Sequence, residues 1–151
     1  MQIVEPLSES GASEDTIRKL EQELNVELPD DYRRFLAESN GGRPEPSGFV
    51  FQTPDGQSSD SLVDWFLTLN PSEDLYTLSE YRMMYQDRTP PLMLPIACDP
   101  FGNLVLLDIG ARTKGTVCFW DHEQESMGKL TWENISNVAP SFSDFQESLG
   151  D

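Results

Sequence analysis

Residues 28–42 read LPDDYRRFLAESNGG, a segment that marks both the beginning and the end of a helix and ends in two glycines. Pro29 suits the first turn because its missing N–H is not needed there. Asp30 and Asp31 supply the negative charge that the helix dipole favours. One glycine is enough for a left-handed helix end. The second, Gly42, predicts another unusual dihedral angle or a backbone contact too close for a side chain, and hence a sharp turn from helix to sheet.

Similar local patterns divide the rest of the chain. Ser13 as N-cap and Asn25 as a left-handed end predict a first helix. Strands are predicted at 49–51, 62–69, 92–98, 104–109, 116–121 and 130–132, with a Pro-rich connection at 43–48 and a turn or mobile loop at 54–61. Helices are predicted within 71–89, with Ser72 as N-cap, and near Pro140, where Val138, Phe142, Phe145 and Leu149 mark the apolar face. The order predicts a single α+β domain over 1–151, with helices around an antiparallel or mixed sheet of five or six strands.

Size and composition are those of a cytoplasmic protein with one core. A chain of 151 residues buries about 70% of its unfolded surface. No apolar run reaches the roughly 20 residues of a membrane span, and the first residues, MQIVEPLSESG, do not resemble a signal peptide. Cys98 and Cys118 lie in apolar, strand-like runs and are too few for a zinc signature. We interpret them as buried, reduced thiols.

The charge is strongly acidic. The chain has 27 acidic and 10 basic residues, a formal net charge of −17 and a pI near 4.1. Such a surface repels nucleic acids and anionic membranes, and it attracts a basic partner. Acidity also keeps ordinary soluble proteins dispersed. Charge alone therefore leaves both a basic partner and a generic role open.

No set of residues forms a recognisable catalytic, metal or cofactor motif. The one histidine, His122, lies between Asp121 and Glu123. In a continued strand, alternation would place the histidine and the two acids on opposite faces, so a metal-dependent enzyme is only a distant alternative. Asp99 and Asn103 lack the further ligands of a calcium loop, and Asp99 is interpreted as a turn residue. We expect no cofactor, no metal and no catalysis.

Acidic residues instead indicate a surface for a protein partner. The sequence has no Lys or Arg between Arg43 and Arg82. A second acidic zone extends from Asp121 to Glu133. The predicted partner-binding residues are Glu45, Asp55, Asp60, Asp64, Trp65, Glu73, Asp74, Glu80, Glu123 and Glu125. Trp65 fits either a binding hot spot or the core.

Four segments, in order, resemble the SUKH superfamily, in particular its branch of Smi/Knr-type cell-wall-assembly regulators. They are LPDDYRRFLAESNGG (28–42), LPIACDPFGN (94–103), TVCFWDHE (116–123) and IxxVAPSFSDFQESL (135–149), and the match runs from about Thr16 to Leu149. Asn25 departs from the glycine that the family often has there. The signature maps onto residues expected in caps, turns and core: Leu28, Pro29, Tyr32, Phe35, Leu36, Asn40, Gly41, Gly42, Pro95, Asp99, Gly102, Asn103, Trp120, Phe142 and Phe145.

The resemblance implies a small cytoplasmic binding protein without enzymatic activity. Many bacterial members are immunity proteins that neutralise a toxin domain, often a nuclease or deaminase, whereas eukaryotic relatives act as regulators through protein contacts. Our leading hypothesis is therefore an immunity protein, a monomer or weak dimer, that occludes a basic toxin domain. The alternative is a regulatory adaptor of Smi/Knr type.

Overall fold

The computed structural model describes residues 1–71, 75–110, 113–125 and 130–151. Its strands, numbered in chain order, are β1 Gln2–Glu5, β2 Arg43–Glu45, β3 Gly48–Gln52, β4 Ser58–Leu62, β5 Trp65–Phe66, β6 Met93–Cys98, β7 Leu104–Asp108, β8 Val117–Trp120 and β9 Ile135–Ala139. Its helices are α1 Glu14–Leu24, α2 Asp30–Glu38, α3 Leu78–Tyr85 and α4 Phe142–Ser148, with a 3-10 turn at His122–Gln124. The predicted α+β class is confirmed.

The main sheet has seven strands in the order β4-β3-β9-β8-β7-β6-β5, and every pair is antiparallel. It is larger than the predicted five or six strands, and β1 and β2 form a separate two-stranded sheet. Only Val63 and Asp64 separate β4 from β5, although these strands lie at opposite edges of the main sheet. The sheet must therefore curl until its two edges approach each other.

The central strands β6, β7 and β8 are buried on both faces. Along β7, Val105 and Leu107 belong to one apolar cluster, whereas Leu104 and Leu106 belong to another. The first cluster includes apolar residues of α1, α2 and α4, and the second is covered by tyrosines in and before α3. Burial on both faces explains why these strands read as continuous apolar runs rather than as an alternating pattern.

The predicted ends of α1 are confirmed. The Ser13 hydroxyl accepts a hydrogen bond from the Thr16 N–H at 3.2 Å, and Asn25 ends α1 with a φ of 55°. α2 begins at Asp30, so Pro29 is its N-cap rather than its first helical residue. The shift leaves no backbone donor of Pro29 unpaired, because a proline has no N–H in either position.

The doubled glycine shows both features expected of it, an unusual dihedral angle and a backbone contact too close for a side chain. Asn40, Gly41 and Gly42 have φ angles of 50°, 92° and 119°. Gly42 exchanges two backbone hydrogen bonds with Phe66, at 3.0 and 2.8 Å. A Cβ on Gly42 would lie 2.8 Å from the carbonyl oxygen of Glu5. The two glycines thus let α2 turn directly into a crowded junction between the two sheets.

The predictions for 43–69 are partly wrong. The Pro-rich connection contains β2, and the predicted loop at 54–61 contains most of β4, whose sequence SSDSL lacks an apolar alternation. In the predicted strand 62–69 only Trp65 and Phe66 pair as β5. The reason is that the chain crosses here from one edge of the curled sheet to the other, which a pattern of side chains does not reveal.

Three further boundaries differ from prediction. α3 begins at Leu78, with the Thr77 hydroxyl accepting from the Glu80 N–H at 3.1 Å, while Ser72 lies outside the described residues. Residues 130–132 form no strand; Ile135–Ala139 does, and it includes Val138, which was assigned to the last helix. Pro140 and the N-cap Ser141 delay α4 to Phe142. β1 was not predicted at all.

The two thiols should be unreactive in the folded protein. Both are buried, they do not form a disulfide, and burial raises the pKa of Cys98 and of Cys118 to about 11. Because the thiolate is the nucleophile, we expect neither to react with Ellman's reagent at pH 8 and both to react in denaturant. The raised pKa also predicts that stability falls as the pH rises from about 9 to 11, since the unfolded thiols ionise first. If either thiol of the folded protein reacted as fast as a cysteine in a small peptide, this prediction would be wrong.

Candidate protein-binding surfaces

Three of the predicted acidic residues are exposed on β2, on the edge strand β4 and in the loop before β4. Glu45 is on β2, Asp55 is in the loop between β3 and β4, and Asp60 is in the middle of β4. All three are exposed, and none forms an ion pair with a described residue. We call these residues the β2–β4 acids. Their charge is available to a partner, because no basic side chain of the described residues pairs with it.

The loop that carries Asp55 is held by its own hydrogen bonds. The Thr53 N–H donates to the Gln57 carbonyl at 2.8 Å, and the Gly56 N–H donates to the Thr53 carbonyl at 2.9 Å. The Thr53 hydroxyl donates to the Asp55 carboxylate and lowers its pKa. Asp55 is therefore charged at neutral pH and held at a defined position at the tip of the β3–β4 hairpin.

Other predicted residues are used within the fold. The Asp64 carboxylate lies 3.1 Å from the Arg43 guanidinium. Trp65 is half-buried, stacks on Tyr76 with ring centroids 4.9 Å apart, and has the Arg43 guanidinium 4.3 Å from its ring centroid. The ring of Trp65 is thus sandwiched among neighbours of its own chain, which leaves little of it for a partner.

The remaining members of the predicted set are scattered. Two hydrogen bonds of 2.9 and 3.0 Å join Glu125 to Arg88 and lower the pKa of this carboxyl. Glu80 is exposed on α3, and Glu123 is exposed in the 3-10 turn. Glu73 and Asp74 lie outside the described residues. The structure therefore gathers only part of the predicted set at one place.

The two acidic zones of the sequence meet at one cavity. Asp55 from the first zone and Asp121 and Glu133 from the second line a cavity of about 390 Å³ next to Phe51. All three carboxylates come from the end of the sheet where β3 and β8 stop and β9 begins. The acidic surface thus extends from the β2–β4 acids to this cavity.

The side chains of Asp121, His122 and Glu123 serve local structure. Asp121 accepts a hydrogen bond from the Glu123 N–H at 2.9 Å, and the His122 Nδ1 lies 2.6 Å from the Asn103 Oδ1. Within the four described ranges, no group of three or more His, Cys, Asp or Glu residues is arranged to hold a metal ion. The geometry gives the metal-dependent alternative no site in this part of the chain.

An exposed apolar groove was not predicted. Trp132 is 59% exposed and Leu92 is 51% exposed, and Met83 and Leu130 lie nearby with large exposed areas. Leu92 lines two cavities, one of about 460 Å³ with Met83 and Leu130 and one of about 510 Å³ with Trp132. We call these four residues the apolar groove. Clustered exposed apolar side chains of this kind are typical of protein-interaction sites.

Leu92 also has a strained backbone. Its φ of 62° is in the left-handed region, which a leucine rarely adopts. The sequence reasoning missed the groove because it assigned Leu130–Trp132 to a strand, where these side chains would be packed. The one signal that could have revealed it is a tryptophan between polar residues in TWEN, since a buried strand has no such neighbours.

Several signature residues perform the structural tasks that local chemistry suggests. Asp99 accepts hydrogen bonds from the N–H groups of Phe101 and Asn103 at 2.9 and 2.8 Å and from the Ser61 hydroxyl at 2.9 Å. The Asn40 Oδ1 accepts the Leu69 N–H at 2.9 Å. Pro95 is buried in β6, and a Cβ on Gly102 would crowd the His122 ring. The signature side chains that lie fully or almost fully within the core are Leu28, Tyr32, Phe35, Leu36, Trp120, Phe142 and Phe145.

Two comparisons place the chain among known proteins. Residues 11–148 match the model of the SMI1 / KNR4 family (SUKH-1). The chain is also 29% identical over 153 residues to the SPbeta prophage-derived uncharacterized protein YokK of Bacillus subtilis (strain 168), covering 89% of this chain and 73% of that protein. Among the described residues, no helix is long and apolar enough to cross a membrane. Since the family match covers most of the chain, the protein belongs to the SMI1/KNR4 (SUKH-1) family.

Proposed function

We propose that the protein is a cytoplasmic immunity protein that binds a cognate toxin domain, basic and nuclease-like in character, and neutralises it by occlusion. Family membership supports a role in protein binding without catalysis. The observation that carries the basic character of the partner is the exposure of the β2–β4 acids, which have no ion pair within the described residues. An acidic surface of this kind would occupy a cleft that otherwise holds phosphates.

The proposal predicts fast association that depends on charge. The binding partner for the test is any toxin C-terminal domain encoded beside the gene, and the measurement is its association rate by biolayer interferometry. Replacing the β2–β4 acids together, as Glu45→Gln, Asp55→Asn and Asp60→Asn, should slow association about tenfold, because steering by complementary charge acts on the encounter rate. Raising the ionic strength should also lower the association rate of the wild-type protein.

A matched triple variant controls for net charge. Asp15→Asn, Glu27→Gln and Glu38→Gln remove three exposed acids of the α1–α2 region that form no ion pair with a described residue. Both triples change the formal charge from −17 to −14. If the α1–α2 triple slows binding as much as the first triple does, the β2–β4 acids are not the binding face. If the toxin domain does not bind at all, the proposed function is wrong.

The apolar groove favours a second function, that of a regulatory adaptor. Contacts through Trp132 and Leu92 would depend on apolar burial, and their strength would change little with salt. In this case Trp132→Ala should abolish binding to the adaptor's partner, whereas the β2–β4 triple should leave it unchanged. A toxin domain bound equally well by wild type and Trp132→Ala, and neutralised by both, would favour the immunity protein over the adaptor.

A further inference from the structure

The hydrogen-bond pattern of the β3–β4 hairpin shows which groups of β4 face away from the sheet. The Val63 N–H donates to the Ser47 carbonyl at 2.9 Å, and the Thr53 N–H donates to the Gln57 carbonyl at 2.8 Å. The register between these two points is regular, and bonded pairs alternate along an antiparallel ladder. Ser59 and Ser61 therefore bond to β3. The N–H and C=O groups of Ser58, Asp60 and Leu62 point outward.

These outward groups make β4 the open edge of the main sheet. No hydrogen bond joins the backbone of Ser58, Asp60 or Leu62 to another element within the described ranges. The opposite edge strand, β5, is only two residues long, and its Phe66 is already bonded on its outer side to Gly42. An open edge is a template on which a further strand can pair.

The side chains along this edge define what can pair with it. Val50, 63% exposed, lies directly opposite Asp60, and Leu62 lies diagonally from Val50 on the same face of the hairpin. A strand added beyond β4 would place one side chain next to the Asp60 carboxylate and another next to Leu62. The best complement is an extended segment in which a lysine or arginine lies two positions from an apolar residue, because side chains two residues apart share a face of a strand.

A second copy of this chain fits poorly at the same edge. In a two-fold symmetric pairing centred on β4, Asp60 would face Asp60 of the second copy, and each chain has a formal charge of −17. Like charges directly opposite each other destabilise a pair of strands. The acidity of the edge therefore blocks pairing between copies and leaves it open to a basic strand.

We propose that β4 is a docking edge on which a protein partner adds a basic strand through backbone hydrogen bonds to Ser58, Asp60 and Leu62. The identity of that partner as a toxin domain rests on the proposed function, whereas the chemistry of the edge does not. Backbone pairing supplies affinity in this binding mode, and the alternating side chains supply specificity. The exposed Val50 and Leu62 and the charged Asp60 would be the specificity-determining positions.

The probe for the edge is the acetylated and amidated peptide Lys-Thr-Val-Thr-Lys-Thr-Val, which places lysine and valine alternately on one face. It is added at millimolar concentration to the ¹⁵N-labelled protein. In the free protein, the amides of Ser58, Asp60 and Leu62 should exchange with solvent deuterium at least tenfold faster than those of Ser59 and Ser61. The lysine peptide should slow exchange of the three outward amides about tenfold, and the matched peptide with glutamate in place of lysine should not. Unchanged exchange at these amides with the lysine peptide overturns the inference.

One pair of variants distinguishes the contribution of the Ser58 backbone N–H to peptide binding from that of its side chain. Ser58→Pro removes an outward N–H without changing the charge, and proline is tolerated at the start of an edge strand. It should weaken peptide binding about fivefold, whereas Ser58→Ala should bind like the wild type. Equal weakening in both variants, with unchanged melting curves, would contradict pairing through the backbone.

A toxin domain encoded next to the gene would distinguish failure of this inference from failure of the proposed function. If it binds and leaves the three outward amides unprotected, the docking edge is wrong and the immunity function stands. If it does not bind while the lysine peptide protects them, the edge is correct and its partner is another basic protein.

Discussion

Gly42→Ala should lower the melting temperature by about 6–12 °C, measured by circular dichroism. A backbone φ of 119° disfavours any residue with a Cβ and costs about 1–3 kcal/mol. The added Cβ would also lie 2.5 Å from the Cγ2 of Ile3 and 2.8 Å from the carbonyl oxygen of Glu5, so β1 must move. Together these effects amount to about 3 kcal/mol, and each kcal/mol lowers the melting temperature of a chain of this size by about 2–4 °C.

Gly56→Ala is the matched control. Gly56 also has a positive φ, 88°, but no atom lies within 4 Å of the Cβ position. Only the conformational cost of about 1–2 kcal/mol remains, so the loss should be clearly smaller than for Gly42→Ala. Equal melting temperatures for the two variants would mean that the close approach between Gly42 and β1 contributes nothing.

Phe142→Ala should reduce the free energy of unfolding by about 3–5 kcal/mol, measured by urea denaturation. The ring is fully buried and lies with its centroid 5.1 Å from those of both Tyr32 and Phe35 and 5.9 Å from that of Phe66. It therefore joins α4, α2 and β5 at a single point, and its removal leaves a cavity bounded by three elements. A loss below about 1 kcal/mol would show that the cluster collapses without cost.

Tyr32→Phe, in the same cluster, should keep or slightly raise the stability. The Tyr32 hydroxyl is buried and has no hydrogen-bond partner among the described residues, so its removal leaves no group unpaired. Burial also raises the pKa of Tyr32. Since the tyrosine of the unfolded chain ionises near pH 10, the wild type should lose stability above that pH more steeply than Tyr32→Phe. A loss of more than about 1 kcal/mol at neutral pH would contradict this.

Much of the fold could be predicted because the necessary information is local. The Ser13 side chain caps the start of α1, and the left-handed backbone of Asn25 ends it. The doubled glycine marks a junction with backbone angles that favour glycine. The strands β6, β7 and β8 are buried on both faces and therefore stand out as apolar runs. In each case one short segment contains both the signal and its cause.

The remaining features depend on segments far apart in sequence. β4 is a strand because β3 lies beside it, although SSDSL contains only one apolar residue. The cavity lined by Asp55, Asp121 and Glu133 exists because the sheet brings together loops more than 60 residues apart. The apolar groove joins Leu92 to Trp132, which is far away in sequence, so the polar neighbours in TWEN indicate an exposed tryptophan but not the groove.

The curled sheet also sets the order in which a newly made chain can mature. β3 pairs with β9 at Gln52 and Asn137, and Gly48 exchanges two backbone hydrogen bonds with Gly150. Until these residues have left the ribosome, we expect the β3–β4 hairpin to lack its neighbours in the sheet and the packing of Phe49 against Phe145. The helices α1 and α2 can form early, but the sheet closes only after Gly150 has emerged. The outward groups of β4 are set by its pairing with β3, so we expect the docking edge to exist in the hairpin before the sheet closes around it.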